Sequence, residues 1–156
     1  IRDLRRFLTS GNKSTLGPFD AVVLLIGDND VDSSKSAQEV ADELWQLCEE
    51  VSQKMNAGTG LLHDIAQRYK SRYGEVENYN KKAKKINALL EGMRKAEEAC
   101  VCIRARFHAF PGEERYGLNT KYFLPDGVHL NGAGNFLLYK AVRGMLLKIR
   151  HRQPGW

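Results

Sequence analysis

Two short stretches of this sequence hold residue types that move protons and carry charge, at spacings that let them act together. The first is Asp126-Gly127-Val128-His129, followed by Leu130-Asn131-Gly132-Ala133-Gly134. A histidine that takes and returns a proton needs an acceptor to hold its ring in one tautomer, and a carboxylate three residues upstream can be that acceptor. The bland alternative is a helix-entry turn with a satisfied histidine. The second stretch is Gly27-Asp28-Asn29-Asp30, directly after the apolar run at residues 19–26. Its acids also fit another chemistry, since Asp28, Asp30, Asp32 and Glu39 fall at positions 1, 3, 5 and 12 of an EF-hand calcium loop. Against calcium, position 6 is Ser33 where that loop needs glycine, and the preceding run reads as strand, not helix. Asp32 and Glu39 instead suit the start of a helix, where negative charge is favoured. His63, His108 and His151 have no carboxylate or cysteine at ligand spacing and read as surface or strand histidines.

The elements that must position these residues follow from periodicity. Residues 1–8 have apolar positions at helical spacing, and residues 10–18 read as a loop. Residues 21–26 form an unbroken branched apolar run, the pattern of a strand covered on both faces. Ser36-Ala37-Gln38-Glu39 is a capping box, and Val40, Leu44, Leu47, Val51 and Met55 repeat behind it on one helical face. Leu61 and Leu62 end a short second strand, and a long helix covers residues 79–99 with Ala83, Ile86, Leu90 and Met93 on one side. Val101, Ile103, Ala105 and Phe107 alternate with polar residues, as in a strand with one face covered. Residues 110–124 read as loop, with Pro111-Gly112 as a turn. Asn131 can cap a last helix whose inward face is Leu138, Val142, Met145 and Ile149. Alternating helix and strand means a parallel sheet with helices on both faces.

The length of 156 residues, 42% of them hydrophobic, suffices for one domain with a core. We expect that domain to span residues 1–150, with a polar tail at 151–156. No apolar run approaches the roughly 18 residues of a membrane span, and no signal-peptide pattern is present. Cys48, Cys100 and Cys102 are odd in number and lack CxxC spacing, which argues against a disulfide framework or structural zinc. Reduced thiols of a cytosolic-type protein are the default. The net charge of +5 is concentrated in Lys81, Lys82, Lys84 and Lys85, and in Arg143, Lys148, Arg150 and Arg152. These runs read first as solvated helix faces and second as a patch for nucleic acid.

Taken together, Gly27-Asp28-Asn29-Asp30 after its strand and Asp126-Gly127-Val128-His129 before its helix resemble the third and last sequence blocks of the SGNH (GDSL-type) esterase family. Leu61-Leu62 and Asn80, before the long helix, also look like intracellular and mobile-element-encoded members. The resemblance implies a three-layer α/β/α flavodoxin-like fold, a small acyl-ester substrate and no cofactor or metal. It implies His129 as general base, Asp126 as the residue that orients it, and Asn29 as an oxyanion-hole donor, supported by Gly27 and Asp30. It also implies a nucleophilic serine at the end of a first strand. None of Ser10, Ser14, Ser33, Ser34, Ser36, Ser52 or Ser71 sits there, so the nucleophile is unassigned and roughly two strands and a helix are expected to be absent. Asp28 stands where many members have a neutral residue, and its charge opposes that of an oxyanion. Three readings follow: part of a serine esterase, inactive as the isolated chain; a degenerate SGNH-like binding domain; or a nucleic-acid-associated domain of a mobile-element protein. Under the missing-strand expectation, one side of residues 21–26 is an unpaired edge that invites self-association.

Overall fold

The apolar runs set the backbone pairing. The computed structural model describes residues 1–9, 19–70, 74–96, 100–103, 114–115 and 118–152. In chain order these form α1 (Arg2–Thr9), β1 (Val22–Leu24), α2 (Asp28–Val31), α3 (Ala37–Lys54), β2 (Gly60–His63), α4 (Val76–Ala96), β3 (Cys100–Ile103), β4 (Glu114–Arg115), β5 (Leu118–Asn119), a 3-10 turn (Thr120–Tyr122) and α5 (Gly132–Arg152). They divide into two compact units, one of Ile1–Ile65 with Lys82–Cys102 and one of Ala66–Lys81 with Ile103–Trp156.

The first unit is built on a sheet of order β1-β2-β3, with β1 parallel to β2 and Leu24 level with Leu62. Leu61 and Leu62 are both fully buried, as befits a middle strand covered on both faces. The run at residues 21–26 behaves differently from its sequence pattern. Only Leu24 is buried, Val22 and Val23 are half-buried, and Leu25 is 53% exposed. Among the described residues β1 pairs on one side only, with β2.

Helix α3 starts where its capping box says it should. Ser36 Oγ accepts from the Glu39 N–H at 3.2 Å, and Glu39 Oε2 accepts from the Ser36 N–H at 2.7 Å. Those two bonds satisfy donors that a helix start otherwise leaves open. They also occupy the Glu39 carboxylate, which is the wrong geometry for the last ligand of a calcium loop. Val40, Leu44 and Leu47 are fully buried and Val51 nearly so, and α3 packs on both β1 and β2. Each such side chain contributes about 1.5–3 kcal/mol of burial. On α4, Ala83, Ile86 and Leu90 are fully buried. Between Ala83 and Leu90, Asn87 both donates to the Ile65 carbonyl and accepts from the Ile65 N–H, each at 2.9 Å. Lys82 is not merely a solvated charge, because its Nζ donates to the Ser33 carbonyl at 2.8 Å.

The second unit has a small core around Phe123, packed by Ala66, Tyr69, Tyr122, Leu130, Leu137 and Leu138. Tyr69 meets Phe123 edge to face at 5.5 Å. Asn131 caps α5 as expected, its Oδ1 accepting from the Gly134 N–H at 3.1 Å. Leu138, Val142, Met145 and Ile149 are half-buried. Residues 110–124, read as loop, contain the antiparallel pair β4–β5 and the 3-10 turn. Strands of two residues are too short for an alternation signal to show. The expected strand beyond Ile103, the Pro111-Gly112 turn, Ser10, Ser14, Ser71, His108, the tail at 153–156, and the side chains of Cys100, Cys102, His151 and Arg152 lie outside the described residues. None of the described helices is long and apolar enough to cross a membrane.

Candidate active site

The Asp126–His129 pair forms as its spacing predicts. His129 Nδ1 lies 2.7 Å from Asp126 Oδ2. The other carboxylate oxygen, Oδ1, accepts from the backbone N–H of Val128 at 2.9 Å and of His129 at 3.0 Å. The bond to the His129 ring, followed by the two backbone bonds, holds the Asp126 carboxyl well below the usual carboxylate range. The two side chains are 47% and 57% exposed, so solvent screens their attraction and the pair serves geometry more than stability. With Nδ1 committed to the carboxylate, Nε2 is the nitrogen suited to exchange a proton with a reactant.

The loop that carries the pair is anchored within its own unit. Gly127 adopts φ 69, a conformation that L side chains rarely take. A Cβ there would also lie 2.7 Å from Lys70 Cβ and Cγ. The Gly127 carbonyl accepts from the N–H groups of Tyr69 at 3.1 Å and Lys70 at 3.4 Å. Tyr69 Oη donates to the Leu124 carbonyl at 2.7 Å, and Lys70 Nζ to the Pro125 carbonyl at 2.6 Å. The far side is closed by a 2.8 Å bond from the Leu124 N–H to the His129 carbonyl.

Residues 66–70 have no regular secondary structure of their own. Their backbone is held by Asn80, which is buried, donates to the Arg68 carbonyl at 2.7 Å and accepts from the Arg68 N–H at 2.9 Å. The Arg68 guanidinium lies 4.2 Å from the centre of the Tyr79 ring. Asn80, noted in the sequence, thus acts on the backbone, and Tyr69 and Lys70 were not singled out there at all. Their partners lie 55 residues away, and no local pattern encodes such a contact.

In the first unit, Gly27-Asp28-Asn29-Asp30 follows the carboxyl end of β1, where ligands bind in open α/β sheets. Gly27 is buried with φ 108, and a Cβ would lie 3.1 Å from Leu44. Its carbonyl accepts from the Asp30 N–H at 2.9 Å, which turns the chain into the four-residue helix α2. Asp28 and Asn29 are exposed on that turn and Asp30 is half-buried. The Asp30 carbonyl accepts from Ser33 Oγ at 2.6 Å, which gives Ser33 a turn-closing role. Among the described residues no group of three or more His, Cys, Asp or Glu side chains is placed to hold a metal.

His63 ends β2, beside this turn in the parallel register. Among the described residues its buried Nε2 has no hydrogen-bond partner. Burial lowers its pKa below 6.5, opposed by the charge and backbone of Asp64 and by the charge of Asp28. The sequence offered one clue, a histidine directly after a fully apolar strand and directly before an aspartate.

The sequence profile of the GDSL-like lipase/acylhydrolase family matches residues 1–142, and the chain belongs to that family. A solved GDSL-like lipase from Bacteroides thetaiotaomicron is similar in fold, with a TM-score of 0.66 at 18% identity. The match covers 83% of this chain and 62% of that one, so the chain spans less than two thirds of that lipase. At this identity the likeness shows the fold alone, which is the α/β fold of the SGNH type. In all, 11 solved chains match, and no curated protein does.

Proposed function

We propose that this chain supplies the acid–base pair and an oxyanion donor of a serine-type hydrolase of small acyl esters. The observation that carries the reading is the 2.7 Å contact between His129 Nδ1 and Asp126 Oδ2, in a chain of the GDSL-like family. In this reading His129 Nε2 takes the proton of an attacking serine hydroxyl as the hydroxyl oxygen bonds to the acyl carbon. Asp126 holds the ring and balances the imidazolium. The Asn29 side-chain amide donates to the tetrahedral oxyanion. His129 then gives the proton to the departing alkoxide, and water repeats the sequence on the acyl-serine. No serine of this sequence follows a Gly-Asp pair, so the attacking hydroxyl comes from outside these 156 residues.

The test is to join the chain to the segment encoded before Ile1 and assay a p-nitrophenyl short-chain ester. Hydrolysis is expected from the extended protein and not from the 156 residues alone. Relative to the extended protein, His129→Ala should cut kcat by about 10²–10⁴. Asn29→Ala should cost about 10²–10³. Full activity in His129→Ala sinks the proposal. An upstream segment without Gly-Asp-Ser, together with no turnover, favours instead a binding domain, for which the exposed Asp28 beside Asn29 is no handicap.

A further inference from the structure

The last helix presents a face that neither its own core nor the acyl chemistry explains. Phe136 is 59% exposed and Tyr139 57%, and Leu146 and Leu147 are also exposed. Lys140, Arg143 and Arg150 lie on the same arc, at helical spacings of four, seven and fourteen from Phe136. The 21 residues of α5 include no aspartate or glutamate. From Phe136 to Arg150 the arc runs about 21 Å along the axis.

Two features choose the partner's chemistry. The first is the mixing of cations and rings. A helix that lies in a lipid interface segregates its apolar face from its basic one. Here they alternate within one arc, so burying the rings in acyl chains would drag the cations with them. The second is the local geometry of the rings. The planes of Phe136 and Tyr139 are near-parallel at 25° with centroids 6.2 Å apart, and Lys140 Nζ lies over the Phe136 ring, 5.5 Å from its centroid. Flat, exposed rings with cations beside them are what unpaired bases and their phosphates recognise.

We propose that the outward face of α5 binds single-stranded nucleic acid, with bases stacked on Phe136 and Tyr139 and phosphates at Lys140 and Arg143. The net charge of +5 assists the encounter. The proposal does not depend on the hydrolase reading, because none of these residues belongs to the acid–base pair or the oxyanion donor.

Fluorescence anisotropy with a labelled mixed-sequence single-stranded oligonucleotide tests it, using the whole chain across a salt series. Binding should weaken with salt at a slope near −1.4, about −0.7 for each of two phosphate contacts. Phe136→Ala/Tyr139→Ala should weaken binding by about tenfold or more with the slope kept. Lys140→Gln/Arg143→Gln should flatten the slope instead. These four side chains are exposed, so circular dichroism should show the helix retained in both variants. The proposal falls if no oligonucleotide binds at low salt, or if binding is indifferent to both variants. It also falls if the chain pellets with phosphatidylserine vesicles, or pairs with itself through this face, while the oligonucleotide stays free.

Discussion

Asp126 divides two tasks between two oxygens. One oxygen fixes the imidazole of His129, and the other fixes the backbone that carries that imidazole. An asparagine at 126 would keep an acceptor for one task only, so ring and backbone would no longer be held together. His63 is the opposite kind of residue, titratable, largely shielded and, among the described residues, without a hydrogen-bond partner at Nε2. Its folded pKa lies below the unfolded 6.5. Above 6.5 both states hold the neutral ring and stability is undiminished. As pH falls below 6.5 the unfolded chain binds a proton first, so stability drops until the folded ring also titrates. Urea melts of the wild type should therefore weaken through this window. His63→Gln should remove that part of the slope, and an unchanged slope would show that other groups set it.

At the scale of elements, α4 acts as a rail of clamps. Asn80 and Asn87, two turns apart, each close a pair of hydrogen bonds on a segment that makes no ladder of its own. Asn80→Ala strands the N–H and the C=O of Arg68 in a buried setting, at about 1–3 kcal/mol for each group. Chemical denaturation should register the loss, and Asn80→Asp, which keeps the acceptor alone, should recover part of it. Such clamps were illegible in the sequence, because an asparagine in a helix does not announce a partner 12 or 22 residues away. The capping box of α3 was legible because all its bonds lie within three residues. The Asp126–His129 contact was legible for the same reason. The branched run before Gly27 identified a strand, but its pattern does not tell how well each face is covered, and Val22, Val23 and Leu25 are less buried than the run suggested.

For the molecule as a whole, that edge has a cost. Among the described residues β1 is paired only with β2, and Leu25 just beyond it is 53% exposed. Open strand edges with apolar neighbours template pairing with another chain. The chain is expected to self-associate as concentration rises, and Leu25→Lys should suppress this by placing a charge at the edge. Sedimentation velocity decides it, and a wild-type monomer at every concentration would refute it. The anchoring of Gly127 by Tyr69 and Lys70 has a different reach. Under the proposed hydrolase reading, any survey that scores the extended protein by lost turnover will flag Lys70 and Asn80 beside His129. Structural splints and reactive groups will look alike in such a screen, and only a readout of loop order, such as amide exchange at residues 124–129, will sort them.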